Sequence, residues 1–330
     1  MVTSSPVRLA LIGLGNMGTA HLDIFKRLEP QVQIGAVADS HLPLADRAAA
    51  DLPAAEVFHD PVDCVNNADV DAVLVATADD THYRIVAACI ARGLFVLCEK
   101  PLSMSPDQSL QLVKAERATG RRLVQVGFMR RFDAGYENIY RALRSGRVGE
   151  PVLISQRHHN PLAVITFDEQ QLISSSASHD IDVFRWLSGE EIKEVSSIAK
   201  RSLDGSTVAV VLTLTSQSGV LGVMELSRGP GMHYDIGCAI VGSNGALTES
   251  PARQPKSRGW MERFHDAYRA QDAAWLAAVA ARSAAGPSAY DGYANNAVVA
   301  AALAALASGR PQPVNLRTES NRAATRRNRR

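Results

Sequence analysis

The stretch Val7–Ile12 is mainly apolar and runs straight into Gly13-Leu14-Gly15-Asn16-Met17-Gly18, a G-x-G-x-x-G turn. No other feature constrains the fold as strongly. A strand feeding such a turn and then a helix, here Met17–Leu28, is part of a parallel crossover unit. Each glycine has a mechanical role: a tight turn, close approach of a ligand to the backbone, and close packing of helix on strand. The helix start leaves unpaired N–H groups and a positive dipole end at the turn, which suits a diphosphate. Asp39 lies 21 residues beyond Gly18, at the end of the next apolar stretch, where a carboxylate accepts both hydroxyls of an adenosine ribose. It would repel a 2′-phosphate, and Ser40 and His41 follow it rather than an Arg, so the expected cofactor is NAD rather than NADP.

The rest of the first third continues the alternation. Strands are expected at Gln33–Ala38, Glu56–Phe58, Ala72–Ala76, Phe95–Cys98 and Leu123–Val126, with helices at Pro43–Asp51, Thr81–Arg92 and Ser105–Thr119. The fold class is α/β, with a doubly wound parallel sheet in an NAD-binding domain of residues 1–127. From about residue 128 the pattern changes. A helix at Asp133–Ser145, a strand at Val152–His158 and a helix at Ser178–Leu187 lead into strands near Ile192–Lys200, Val208–Thr215, Val220–Leu226 and Tyr234–Val241. Asp204-Gly205, Ser218-Gly219 and Asn244-Gly245 mark hairpin turns. Residues 128–316 therefore read as an α+β substrate and oligomerisation domain with a mostly antiparallel sheet. Ala-rich helices at Trp260–Ala285 and Tyr293–Ser308 close it, the second packing back on the first domain, and 317–330 reads as a disordered Arg-rich tail.

Charge and cysteine content exclude several classes. The 330 residues carry 35 Lys+Arg and 34 Asp+Glu. Six Arg against one Glu fall from Arg317 onward, so the total of +1 leaves the body before it at −4, with no basic surface for nucleic acid. Cys64, Cys89, Cys98 and Cys238 have no metal-ligand or disulfide spacing, and no metal site is expected. The longest apolar run, Ala297–Ala307, is far short of the roughly 20 residues of a membrane span. The N-terminus lacks the pattern of a signal peptide. The expectation is a soluble, cytoplasmic protein without membrane partners.

Thr77 and Glu99, at the ends of strands four and five, fall on the carboxyl edge of the sheet, where the dinucleotide would run; His82 is grouped with them. Glu99-Lys100-Pro101 sits at the same edge. Pro101 restricts Lys100 to extended geometry, which aims the amine beside the nicotinamide as proton acceptor or donor. A second anchor is Ser178–Leu187. His179 falls in its first turn, where the dipole favours a neutral base.

These residues, in this order, resemble the Gfo/Idh/MocA oxidoreductase family, and within it the inositol 2-dehydrogenases. Gln125–Asp133 is similar to their QVGFMRRFD, His159-Asn160-Pro161 to HRNP, Tyr234-Asp235-Ile236 to GYDI, and Gly286–Tyr293 to GPSAWDGY. The resemblance implies an NAD-dependent oxidation of a cyclitol hydroxyl with Lys100 and His179 as catalytic residues. It also implies a polyol pocket of Arg130, Asn160, Ser175 and Tyr234, a cofactor site of Gly13, Gly15, Asn16, Met17, Gly18, Asp39, Thr77, His82, Glu99 and Lys100, and a homotetramer. A guanidinium at 130 would fork across neighbouring hydroxyls, and at least one of Arg130 and Arg131 should be structural. The departure is Ser175, where these dehydrogenases carry an aspartate four residues before the histidine. A serine cannot stabilise an imidazolium as a carboxylate does. The substitution leaves open another sugar, keto-inositol or aminocyclitol substrate, or an NAD-binding sensor with impaired turnover.

Overall fold

The computed structural model describes residues 5–161, 168–249 and 259–317; all but the first residue of the Arg-rich tail lies outside them. The first sheet has six parallel strands in the order β3-β2-β1-β4-β5-β6. They are β1 (Val7–Ile12), β2 (Val32–Ala38), β3 (Glu56–Phe58), β4 (Ala72–Val75), β5 (Phe95–Cys98) and β6 (Val124–Val126). Between them run α1 (Asn16–Lys26), α2 (Leu42–Asp51), α3 (Pro61–Asn67), α4 (His82–Arg92) and α5 (Pro106–Ala118). Every residue of β4 and β5 is buried, because helices cover both faces, and this is why the strands read as unbroken apolar runs. The strand order reverses between β1 and β4, which opens the crevice where ligands of such sheets bind. Helix α3 has no counterpart in the sequence expectations. It is too short to show a period, and is started by Pro61 and by Asp60, whose carboxylate accepts the Val62 and Asp63 N–H groups.

The second half begins with α6 (Ala134–Arg144), then β7 (Pro151–Pro161), the single turn α7 (Glu169–Gln171) and α8 (Ala177–Ser188). Strands β8 (Ile192–Arg201), β9 (Val208–Ser216), β10 (Leu221–Gly229), β11 (Asp235–Gly242) and β12 (Gly245–Glu249) follow, and β13 (Gln312–Pro313) completes a sheet in the order β12-β11-β7-β10-β9-β8-β13. Only β7 and β10 pair in parallel; the other neighbours are antiparallel. Strand β7 runs three residues beyond the expected His158 and so carries Asn160 onto the sheet. Helix α8 lies across the inner face with eleven of its twelve residues buried, which forces its polar members to find partners inside.

Helices α9 (Trp260–Ala280) and α10 (Ala289–Ser308) tie the halves together. The sequence pattern points only the second back to the first sheet, but both return. Trp275, Leu276 and Val279 of α9 pack with Leu9, Leu11 and Phe25, while its Phe264, Ala267 and Tyr268 join the core of the second sheet. In α10, Ala289 and Tyr293 serve the first core and Val298, Ala301 and Ala302 the second. Helix α10 starts four residues before the expected Tyr293 because Ser288 and Asp291 cap it reciprocally.

Candidate active site

The turn between β1 and α1 contains three glycines with different reasons to be glycine. Gly13 has φ +92°, and a Cβ there would lie 2.4 Å from the Ala76 carbonyl oxygen; at Gly18 it would lie 1.7 Å from the Gly13 carbonyl oxygen. Both are required by packing. At Gly15 a Cβ would meet nothing within 4 Å. This residue is exposed, and it caps α1 without a side-chain hydrogen bond. The protein alone gives no reason for that glycine or for the uncapped helix start. A diphosphate lying on the turn accounts for both, with Asn16 and Met17 opening the helix beside it. Asp39 is pinned for the ribose: Oδ2 accepts the Leu14 N–H at 2.7 Å and Oδ1 the His41 N–H at 2.8 Å, which leaves further lone pairs on each oxygen. These residues fit a dinucleotide.

At the carboxyl edge of the sheet, Thr77 bonds Thr81 through their hydroxyls at 2.7 Å. His82 and Glu99, expected among the cofactor ligands, turn inward instead. The His82 ring is buried with Nδ1 2.7 Å from the Pro101 carbonyl and Nε2 3.1 Å from the Thr77 carbonyl, so it braces the Pro101 turn against the end of β4. Glu99 is 5% exposed, and its Oε2 accepts the Lys100 N–H at 3.3 Å. Lys100 itself is half-buried, and its amine has no hydrogen bond or ion pair among the described residues.

His179 does not stand at a helix start. Asp168 caps α7, whose turn continues through a π-helical segment, Leu172–Ser176, into α8. The histidine is therefore several turns in, and the dipole argument fails. The imidazole is nonetheless held neutral: burial lowers its proton affinity well below the ordinary value, and the charges of Lys100 and Arg130 lower it further. Its Nδ1 is buried with no hydrogen-bond partner. Ser175, half-buried one turn earlier in the π segment, makes no hydrogen bond that would supply one. Such wide turns recur at functional sites.

The two arginines of Met129-Arg130-Arg131-Phe132 are matched to the two aspartates of α8. Arg130, 1% exposed, places Nη1 2.6 Å from Asp180 Oδ1, and the other oxygen of that carboxylate lies 2.7 Å from His158 Nδ1. Burial keeps His158 neutral despite Asp180, so its Nδ1 proton goes to Asp180, and the Arg130 Nη2 contact at 3.1 Å is not a second hydrogen bond. Burial would raise the Asp180 carboxyl, but Arg130 and His158 overcome it and hold the group below its ordinary range. Arg131 grips Asp182 through Nε at 2.9 Å and Nη2 at 2.6 Å, and Nη2 also reaches Asp291 at 3.0 Å. Arg131 is structural, with Nε and Nη2 both committed to carboxylates, whereas Arg130 gives Nη1 to Asp180 and keeps an unpartnered Nε. Tyr234 stands edge-on to His158 at 5.9 Å between ring centroids. Asn160, 6% exposed, keeps an unpartnered amide nitrogen.

A family model described as an oxidoreductase family with an NAD-binding Rossmann fold matches residues 7–128, and the GFO/IDH/MocA C-terminal domain matches 136–248. The chain belongs to the GFO/IDH/MocA oxidoreductases. Two family members named inositol 2-dehydrogenase 1 and 2, from Saccharopolyspora erythraea, are 38% and 36% identical to it, each over 94% of this chain and 97% and 96% of their own. The structure of myo-inositol dehydrogenase from Lactobacillus casei in complex with NAD(H) and myo-inositol is 26% identical with a TM-score of 0.86, over 95% of this chain and 98% of that one. The chain is thus an NAD-dependent oxidoreductase with the expected α/β fold.

Within this GFO/IDH/MocA site, sequence reasoning missed Asp180 as the shared partner of Arg130 and His158, and His21, itself bonded to Asp272, as the partner of Glu99. The only signal for the first pair is that two adjacent arginines match two aspartates spaced i, i+2. Nothing local foretells the second, because Asp272 arrives from a helix 251 residues away.

Proposed function

We propose that the protein oxidises a secondary alcohol of a cyclitol, of the myo-inositol type, to a ketone. The observation that carries this reading is the set of polar atoms left uncommitted around the sheet edge: the Lys100 amine, His179 Nδ1, the Asn160 amide and the Ser175 hydroxyl. Several donors and acceptors with no paired counter-charge suit an uncharged ligand rich in hydroxyls. NAD, when bound, supplies the nicotinamide that accepts the hydride. The Lys100 amine, in its neutral form, takes the hydroxyl proton as the C–H pair leaves, and the electrons of the broken O–H bond close the carbonyl. Neutral His179 accepts a hydrogen bond or a proton at Nδ1 from the same or a neighbouring hydroxyl. Asn160 and Tyr234 orient the ring, Ser175 contacts a hydroxyl, and Arg130 shapes the wall from behind.

The resemblance to inositol dehydrogenases along the whole chain supports the substrate class. A homo-oligomer, a tetramer by that resemblance, forms through the outer face of the second sheet, where Val152, Ile198, Leu221 and Val241 are exposed. Four buried cysteines without disulfides suit the cytoplasm. The test is reduction of NAD by the purified protein over a panel of cyclitols and aldoses. A cyclitol among the best substrates supports the reading, and turnover of aldoses alone replaces it.

A further inference from the structure

Beneath the catalytic edge lies a cluster that the reaction as described does not use. His21 of α1, 1% exposed, has Nδ1 2.6 Å from Asp272 Oδ2 of α9 and Nε2 3.2 Å from Glu99 Oε1 at the end of β5. Asp272 is fully buried and Glu99 nearly so. An ionised carboxylate only accepts, so a histidine between two of them must donate from both nitrogens and carry a charge. Burial opposes charge throughout the cluster and pushes the Asp272 carboxyl up, against the pull of His21, but Asp272 and then Glu99 raise the imidazole to about 10. Two further polar side chains touch this cluster: Tyr268, edge-on to the ring at 5.6 Å, and Gln271, whose amide donates to Asp272 at 3.3 Å. Neither supplies another charge.

Three buried charges are an expensive way to hold helices together, since apolar side chains of like volume do as well or better. Their placement offers a reason. Glu99 passes the tie on: its Oε2 accepts the Lys100 N–H, and Gly127 leaves room for the carboxylate, since a Cβ there would lie 2.6 Å from Oε1. Helix α1, which carries His21, is the same helix whose start faces the diphosphate.

We infer that His21 is a positioning residue. Its doubly donating imidazolium fixes Glu99, and through Glu99 the backbone of Lys100, and the cluster keeps one net negative charge under the nicotinamide subsite. This rests on the dehydrogenase reading, in which that ring lies beside Lys100. The fixed charge favours the cationic NAD⁺ over neutral NADH. Changing the cluster by one charge in either direction should therefore move cofactor preference in opposite senses, which no loss of packing would do.

The experiment uses full-length wild type, His21→Gln and Asp272→Asn at pH 8.5, with NAD⁺ and NADH as the probes. The Kd ratio of NADH to NAD⁺ should rise at least about threefold in His21→Gln, where two carboxylates face each other uncompensated, and fall by a similar factor in Asp272→Asn. Turnover should drop at least about tenfold in both, with the polyol KM within about threefold. Nitrogen NMR of the ligand-free wild type should find both His21 ring nitrogens protonated at this pH. Unchanged ratios in both variants, or shifts of the same sign, overturn the inference, as does a neutral His21. If His21→Gln does not fold, Asp272→Asn and the NMR signal decide it. A wild type that binds neither cofactor defeats the dehydrogenase reading, and the NMR state of His21 still tests the charged cluster.

Discussion

The cofactor cradle and the substrate wall face each other, yet they are built on opposite principles. The cradle is made of backbone: three glycines, an uncapped helix start and one carboxylate fixed by two N–H groups. The wall is made of side-chain charges from distant parts of the chain, with Asp180 holding Arg130 and His158, and Asp182 and Asp291 holding Arg131. Buried histidines show the contrast most sharply. His21, between two carboxylates, is held charged, whereas burial holds His158 and His179 neutral, His158 despite its bond to Asp180. Burial disfavours the charge on all three, and only at His21, with a carboxylate on each ring nitrogen, do the partners outweigh it.

Substitutions should separate the two designs. Lys100→Met is expected to lower turnover by about 10³-fold while NAD affinity stays near wild type, measured by steady-state kinetics and calorimetry; comparable activity would remove the lysine from the mechanism. Asp180→Asn leaves the Arg130 charge buried without its partner and should destabilise the fold by about 3–5 kcal/mol in a denaturant titration. In the cradle, Gly18→Ala must push backbone against backbone and should destabilise by about 3 kcal/mol, while Gly15→Ala should fold normally and weaken NAD binding by about tenfold or more. Equal effects of the two glycines on stability would break the contrast between packing and ligand roles.

Smaller effects sharpen it. Ser175→Asp places a carboxylate one turn before the unpartnered Nδ1 of His179 and should raise inositol oxidation by about three- to tenfold; no gain would mean that the pocket is shaped for another ring. Stability should also depend on pH with two slopes. His158 and His179 are neutral in the fold, so their contribution is complete above about pH 6.5 and is lost as pH falls below it. Asp180 and Asp291, both lowered, add to that loss nearer pH 4. His21, raised to about 10, acts the other way: its contribution is complete below about 6.5 and is lost as pH rises toward 10. Stability should peak near neutrality, and His21→Gln should flatten the alkaline side.

The cradle was legible in the sequence because backbone requirements are local. A glycine forced by a clash 1.7 Å away announces itself in a six-residue motif, and Asp39 follows at a fixed distance. The position of Lys100 was legible for the same reason, as the end of an apolar strand before a proline. The wall was not. Arg130 reads as a hydroxyl-binding fork or as an ion-pair member, and nothing local shows that Asp180 of α8 comes to lie 2.6 Å from its Nη1. Glu99 and His82 sit at the right edge in sequence, but strand position does not say whether a side chain turns toward the crevice or into the core. The helix start expected at His179 misled because the π segment before it has no apolar period to read.

The account is tested most directly by mixing the purified protein with NAD⁺ and a panel of cyclitols and following NADH absorbance. It predicts NADH formation with at least one cyclitol, slowed about 10³-fold by Lys100→Met. Tight NAD⁺ binding with no NADH from any member of the panel would contradict it.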